Sequence, residues 1–581
     1  MKLVISRLLG CLGLLCSLTA SLIVPASALN REAFTITKYD LEVRLEPEQQ
    51  RLGARGKITL RNDSGQPQKV VALQISSSLS WRSIRVDGKS VQFVSQPYTS
   101  DIDHTGALSE AIVTLPLEIK PKDSVEVEIG YEGVIPLDAT RLVRIGVPEG
   151  IAKHTSWDQI SPWFTAVRGA GYVAWYPITT ESADFSEGNS LFEVVDRWKA
   201  REAASEFKAR VTMSRESNEE PPLLICSPGR DSIIEQISRA QLVSASCSWT
   251  RLGTVTPTFA MANYQYQSKP PFYLFSLTGH EAGASTYSNA LEPAMKFVSG
   301  WFGQPRAPVA IADFADPNSA PFESGTLLMA SMAAEDSKLA GTNLVHELVH
   351  SAVPSLRPWV YEGLAHFAEA MYRQQQGGRE AALDFLGLHR AAFLDSEKEV
   401  AAVQNNVGQP LVSTFDETYY RSKAAYVWWM LRDMVGDDAL KQAIGKYRAE
   451  DDKDPKYVER LIEAAAKRDL GWFFDDWVYQ DRGLPDFRVQ SAHPWKTEKG
   501  MQIVTVTLEN LGSVGAEVPF TILFEGGEIT KRIEVRARST ATTRVELPGT
   551  SGEVKVSEIR VNDGSVPEID LTNNVFRISA P

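Results

Sequence analysis

The stretch "NLVHELVHSAVPSLRPWVYEGLAHFAEA", residues 343–370, spells His346, Glu347 and His350 as HExxH and then supplies Glu362, His366 and Glu369. Positions i and i+4 of a helix share one face, so His346 and His350 aim two imidazoles at one point, with Glu347 beside them. Leu344, Val345, Leu348 and Val349 are apolar and predict a buried helix. A buried His–Glu–His cluster without a common partner is costly. A zinc ion with a water for Glu347 to work on answers that demand. The plainer alternative, a surface helix with a solvated Glu347, is disfavoured by the apolar neighbours. Two histidines leave the ion short of a protein ligand, and Glu362 and Glu369 each offer a carboxylate.

Working outward, 581 residues exceed the size at which one core stops growing, so about two to four domains are expected. Hydrophobic residues at 43% and charged residues at 23% fit an ordinary folded protein. The net charge of −13 argues against nucleic acid or an anionic membrane surface as the main partner, since both attract basic patches. Residues 1–28 read as a signal peptide. Lys2 and Arg7 open it, "LLGCLGLLCSLTASLIV" is apolar, and Ala26-Ser27-Ala28 suits cleavage before Leu29. No later stretch is apolar for the roughly 18 residues of a membrane span, so the mature chain is expected in the periplasm or outside the cell. Cleavage removes Cys11 and Cys16. Cys226 and Cys247 then either pair, as an oxidising compartment permits, or stay as separate buried thiols.

Period-two alternation in "YDLEVRL" (39–45) and "VEVEIGY" (125–131), and the Asp-Gly turn in "VDGK" (86–89), predict β structure from about 30 to 268. From about 270 the apolar spacing becomes helical, in "SNALEPAMKFVSGWF" (288–302), "SKAAYVWWMLRDMVG" (422–436) and "YVERLIEAAAKRDLGWFFDDWV" (457–478). Residues 343–376 read as two helices interrupted near "PSLRP". Alternation returns in "MQIVTVTLENLG" (501–512), and "FEGGEI" (524–529) reads as a tight hairpin. The Asp- and Asn-rich "VNDGSVPEIDLTNN" (561–574) is read as turn chemistry rather than a calcium site.

"HELVH…WVYEGLAHFAE" resembles the gluzincin peptidases, in particular the aminopeptidase N-like family, whose HExxH is followed by a helix bearing W-x-x-E-G-x-A. That pattern is met by Trp359, Glu362, Gly363 and Ala365. The resemblance implies an N-terminal antiparallel β domain (29–268), a mainly helical thermolysin-like zinc peptidase domain (269–490) and a C-terminal β-sandwich (491–581). It implies one Zn2+ per chain, held by His346, His350 and a glutamate, with Glu347 as general base. The usual family spacing after the second histidine favours Glu369. The motif favours Glu362, and loops tolerate deletion whereas helix positions cannot shift without rotating the side chain. Pro358 suits the first turn of the second helix, and Gly363 lets that helix approach its neighbour closely. Glu362 is therefore the expected ligand, with Glu369 a supporting acceptor for the zinc cluster or the alternative ligand. His366 is expected to be a supporting or packing residue.

Members of the resembled family stabilise the oxyanion with a tyrosine from a Y-E-K-G-like segment. Here "TYYRSKAAYVWWML" puts Arg421 at that place when Lys423 anchors the comparison, and a one-residue slip restores Tyr420, which is preferred to Tyr419. The family holds a peptide's α-amine with the Glu of G-x-M-E-N, and the nearest match, "APFESGTLLM" (320–329), offers Glu323 as the substrate-binding carboxylate. The resulting expectation is an exported zinc aminopeptidase acting on peptides. Its rivals are an endo-acting or glycyl-aminopeptidase-like gluzincin, and a non-catalytic β-rich exported binding or scaffold protein whose zinc is structural.

Overall fold

The structure is a computed structural model that describes residues 29–155, 158–169, 173–187, 190–214, 222–227, 232–239, 242–333, 336–402, 409–498, 500–547 and 555–578. The expected signal peptide, with Cys11 and Cys16, lies outside the described residues. The chain runs as a β-rich N-terminal region, a helical middle and C-terminal strands.

The N-terminal region is built on an eight-stranded sheet. Its strand Phe34–Glu46 alternates buried and exposed side chains, which is the period that "YDLEVRL" carries. Asp87 and Gly88 both take positive φ and join Leu79–Val86 to Lys89–Ser90, as the Asp-Gly turn predicts. Two features differ from the sequence reading. Phe34–Glu46 pairs in parallel with Glu206–Ser214, so the sheet is not wholly antiparallel. A parallel pair needs a long crossover, and helix α1 (Ser190–Glu202) delivers the chain into that strand. The helix sits inside a region read as β throughout, and it brings Asp196 towards the helical middle. Cys226 and Cys247 form a disulfide.

The helical middle rests on a five-stranded sheet in the order 265–269, 272–276, 309–312, 327–329, 322–324. Its inner strands are parallel, and the edge strand Phe322–Ser324 runs antiparallel to Leu327–Met329. Helices α2 (Glu281–Trp301), α3 (Ser337–Ala352) and α4 (Pro358–Ala402) follow, then α5 (Ala424–Val435), α6 (Asp437–Lys446) and α7 (Tyr457–Ala466). Helix α4 breaks at Gly378, where φ is 80°. The long helical reading of 457–478 is corrected: α7 stops at Lys467, which is left-handed, and short turns over Gly471–Phe474 and Asp475–Tyr479 follow.

The same apolar core continues into the C-terminal strands. The Trp477 indole donates to the Gly515 carbonyl (2.8 Å), and Arg379 binds both Asp433 (3.0 Å) and Asp563 (2.8 Å). "FEGGEI" makes its hairpin, with Phe524 paired to Gly527. In 561–574, Asn562 accepts from Gly564 and Val566, Asp563 from Ser565, and Asp570 from Thr572. These acids and amides serve turns.

Helix α4 lies against α5 at Gly363. A Cβ added there would stand 2.6 Å from the Ala424 Cβ and 3.1 Å from the Trp428 ring. Trp359 stacks on Trp428 at 5.2 Å, and the Trp428 indole donates to the Trp359 carbonyl (3.1 Å). Gly363→Ala is expected to destabilise the fold by about 1–3 kcal/mol through overpacking, read as a fall in the denaturant midpoint. An unchanged midpoint would mean that α5 yields at no cost.

Candidate metal centre

Helix α3 starts at an Asp336 cap whose carboxylate accepts from the Lys338 amide (2.7 Å), and it presents His346, Glu347 and His350 in its last turns. The linker to α4 is held on both sides. Ser351 donates to the Ala307 carbonyl (2.6 Å), the Ser355 and Tyr447 hydroxyls share a hydrogen bond (2.8 Å), and Arg357 donates to Asp452 (2.7 Å). The eleven residues 351–361 therefore suffice to return α4 onto α3, with Glu362 one turn inside it.

His346 Nε2 and His350 Nε2 are 2.9 Å apart. Glu362 faces both, with Oε2 3.8 Å from His346 Nε2 and Oε1 3.8 Å from His350 Nε2. Donors about 2.1 Å from one tetrahedral ion lie about 3.4 Å apart, so these three groups fit a zinc-sized cation. Glu369 lies on the far side of the ring. Its Oε1 is 3.1 Å from His346 Nδ1 and its Oε2 is 2.9 Å from His366 Nδ1. The two acids thus address different nitrogens of His346: Glu362 the one that shares a focus with His350, Glu369 the opposite one. Burial works against the Glu369 carboxylate, but His366 and His346 outweigh it and hold its pKa well below the usual range.

Glu347 is buried, and its Oε2 has no hydrogen-bond partner. Burial first, then the Glu323 carboxylate, push its pKa well above the usual range. An orphaned buried carboxyl oxygen beside two converging imidazoles is what a site for a reactive water leaves open.

Glu323 projects from the edge strand into the same focus. Its Oε1 is 2.8 Å from His350 Nε2 and its Oε2 3.3 Å from His346 Nε2, so Glu323, His346, His350 and Glu362 form one donor set. A second grouping, His346, His366 and Glu369, adjoins it.

Tyr420 and Tyr419 belong to a π-helical turn, Thr418–Lys423. The Tyr420 hydroxyl donates to Asp196 of α1 (2.8 Å). Tyr419 packs edge-on against Phe393 (6.0 Å) with Lys423 Nζ over its ring. Arg421 is the member of that turn that reaches the candidate donor set, with Nε 3.4 Å from Glu362 Oε2.

Three further residues join the site without having been singled out for it. Tyr361 stacks flat on His350, with ring centres 3.7 Å apart, and donates to the Gly325 carbonyl (2.8 Å). It adjoins Glu362 in sequence, but nothing in its local pattern marks the stacking. His389 packs 4.9 Å from His366 and bonds Ser422, and burial pushes its pKa down to about 4. Asp196 comes from the helix missed in the β reading.

The sequence matches no protein-family model and no curated protein. Among solved structures it is similar to an M1 zinc metallopeptidase from Deinococcus radiodurans, at 16% sequence identity and a TM-score of 0.51, over 78% of this chain and 95% of that one. A glutamate-to-alanine mutant of an M1 zinc metallopeptidase from the same organism, bound to a Tyr-Ser-Ala substrate, aligns at 15% identity with a TM-score of 0.51, over 78% and 96%. The class defined by these likenesses is one of fold: the chain is built as the M1 zinc metallopeptidases are.

Proposed function

We propose that this chain is an exported zinc aminopeptidase, organised as a β domain over 29–268, a thermolysin-like catalytic domain over 269–490 and a β-sandwich over 491–581. The observation that carries the reading is the pairing of two imidazole nitrogens 2.9 Å apart with a buried glutamate whose Oε2 lacks a partner. His346, His350 and Glu362 would hold one Zn2+, and Glu369 would orient His346 by accepting its Nδ1–H. The cation, when bound, supplies a Lewis acid that acidifies water and polarises a carbonyl.

Glu347 then takes a proton from water as the water oxygen bonds to the peptide carbonyl carbon. The carbonyl π pair moves onto its oxygen. As that pair returns, the C–N bond breaks with its electrons to nitrogen, and Glu347 passes its proton to the leaving amine. Glu323, on an edge strand beside the focus, would pair with a substrate's free α-ammonium and restrict cleavage to chain ends. The Tyr-Ser-Ala peptide carried by the structurally similar enzyme is in keeping with short peptides as substrates. The disulfide and the absence, among the described residues, of a helix apolar enough to cross a membrane agree with export.

A second reading rests on Glu323 itself. As a fourth protein donor it would close the coordination sphere, as in structural zinc sites, and the protein would be a scaffold. Metal analysis combined with assays on free and N-acetylated peptides separates the two. The aminopeptidase reading expects near one zinc per chain and cleavage of free peptides only. Glu323→Ala should keep its zinc and lose most of its rate on free peptides. Zinc lost with Glu323, and no cleavage by the wild type, would establish the scaffold, while cleavage of acetylated peptides would establish endo action.

A further inference from the structure

We infer that Arg421, and not a tyrosine hydroxyl, supplies the positive partner for the substrate carbonyl oxygen as it takes up negative charge. The inference rests on the peptidase reading above.

Of Tyr419, Tyr420, Arg421 and Lys423 in the π turn Thr418–Lys423, three are engaged elsewhere. The Tyr420 hydroxyl is bound to Asp196, which is itself largely buried. Tyr419 is fully buried, edge-on to Phe393 with Lys423 Nζ over its ring, and its hydroxyl faces Glu397. Lys423, the anchor of the turn, is locked to Asp481 at 3.0 Å, with both side chains only 1% exposed. The π turn thereby fixes which face each residue of "YYRSK" presents, and it gives the metal side to Arg421.

The guanidinium stands one carboxylate away from the focus of the imidazoles. Arg421 Nε is 3.4 Å from Glu362 Oε2, and that oxygen is 3.8 Å from His346 Nε2. Arg421 Nε and Glu362 Oε2, both buried, are ion-paired with each other, and beyond that pair neither has a hydrogen-bond partner. His366 Nε2 lies 4.0 Å from the same oxygen. A guanidinium held at ion-pair distance from Glu362 places a positive charge beside the two imidazoles that face the same carboxylate.

Glu417 steadies the outer end of the guanidinium by accepting from Nη1. The Arg421 side chain is 36% exposed, so an entering peptide can reach it. Chemically the exchange is sound. A guanidinium is always charged, presents a planar fork of donors, and can meet an oxyanion without giving up a proton. It stabilises the step in which the carbonyl π pair resides on oxygen, and neither gains nor loses an atom in doing so.

The test uses the zinc-loaded full-length protein. Arg421→Ala is expected to keep wild-type zinc content and to lower kcat by about 10²–10³-fold, the usual loss on removing an oxyanion donor, with little change in KM. Affinity for a peptide phosphonate, a tetrahedral anion measured by calorimetry, should fall by a similar factor. Added guanidinium ion should restore part of the rate, and Arg421→Lys should lie between. Zinc lost in proportion to rate would mean that Arg421 serves only to hold Glu362, and overturns the inference. So would unchanged phosphonate affinity, or a larger kcat loss in Tyr420→Phe than in Arg421→Ala. A zinc-loaded wild type that cleaves no peptide removes the peptidase reading and this one together. An active wild type with an unaffected Arg421→Ala removes this one alone.

Discussion

Glu347→Gln is expected to bind zinc as the wild type does and to slow peptide hydrolysis by about 10²–10⁴-fold, the range that general base catalysis supplies. The amide matches the carboxylate in size, so α3 and both histidines should keep their places, and only the ability to accept a proton is lost. The expectation follows from the isolation of that side chain: Glu347 is 1% exposed and its Oε2 has no bonding partner to release. Metal analysis beside a steady-state assay checks it. A variant within a fewfold of wild-type rate would mean that another group takes the proton. One that loses zinc would mean that Glu347 helps to hold the ion.

The second large effect separates the two acids of α4. Glu362→Ala should abolish stable zinc binding, because on the proposed reading it removes one of three ligands. Glu369→Ala should weaken binding by only about 10–100-fold, as loss of a supporting acceptor does. The contrast arises from which nitrogen of His346 each acid faces: Glu362 the Nε2 and Glu369 the Nδ1. Competition against a chelator of known affinity measures both. The reverse order of losses would make Glu369 the ligand and Glu362 the support.

The histidine face of α3 is legible because helix positions come in fixed steps. Once His346 and His350 lie on one face, the only open question is which acid of the next helix returns to it. Counting through the loop pointed to Glu369, whereas Trp359, Gly363 and the helix start at Pro358 pointed to Glu362, and the structure gives Gly363 the close contact with Ala424 expected of it. Glu323, from a weak motif, does reach the focus. The tyrosine was less legible. A π turn carries more residues per turn than an α-helix, so a comparison of spacing across "TYYRSK" cannot say which residue faces the histidines of α3. The partner that occupies Tyr420 is Asp196, 224 residues away, on a helix hidden in a stretch dominated by alternation. Such a contact is set by how the N-terminal region packs on the middle, and no local pattern reports it.

The contact at Gly363 also bears on how this protein tolerates sequence drift. Glu362 precedes that glycine by one residue, and Arg421 precedes its counterpart Ala424 by three. A bulkier residue at Gly363 would press on the Ala424 methyl and the Trp428 ring and so shift Glu362 and Arg421 relative to each other. Substitutions that enlarge a side chain are thus expected to be tolerated on the surrounding strands and linkers before the α4–α5 seam admits any.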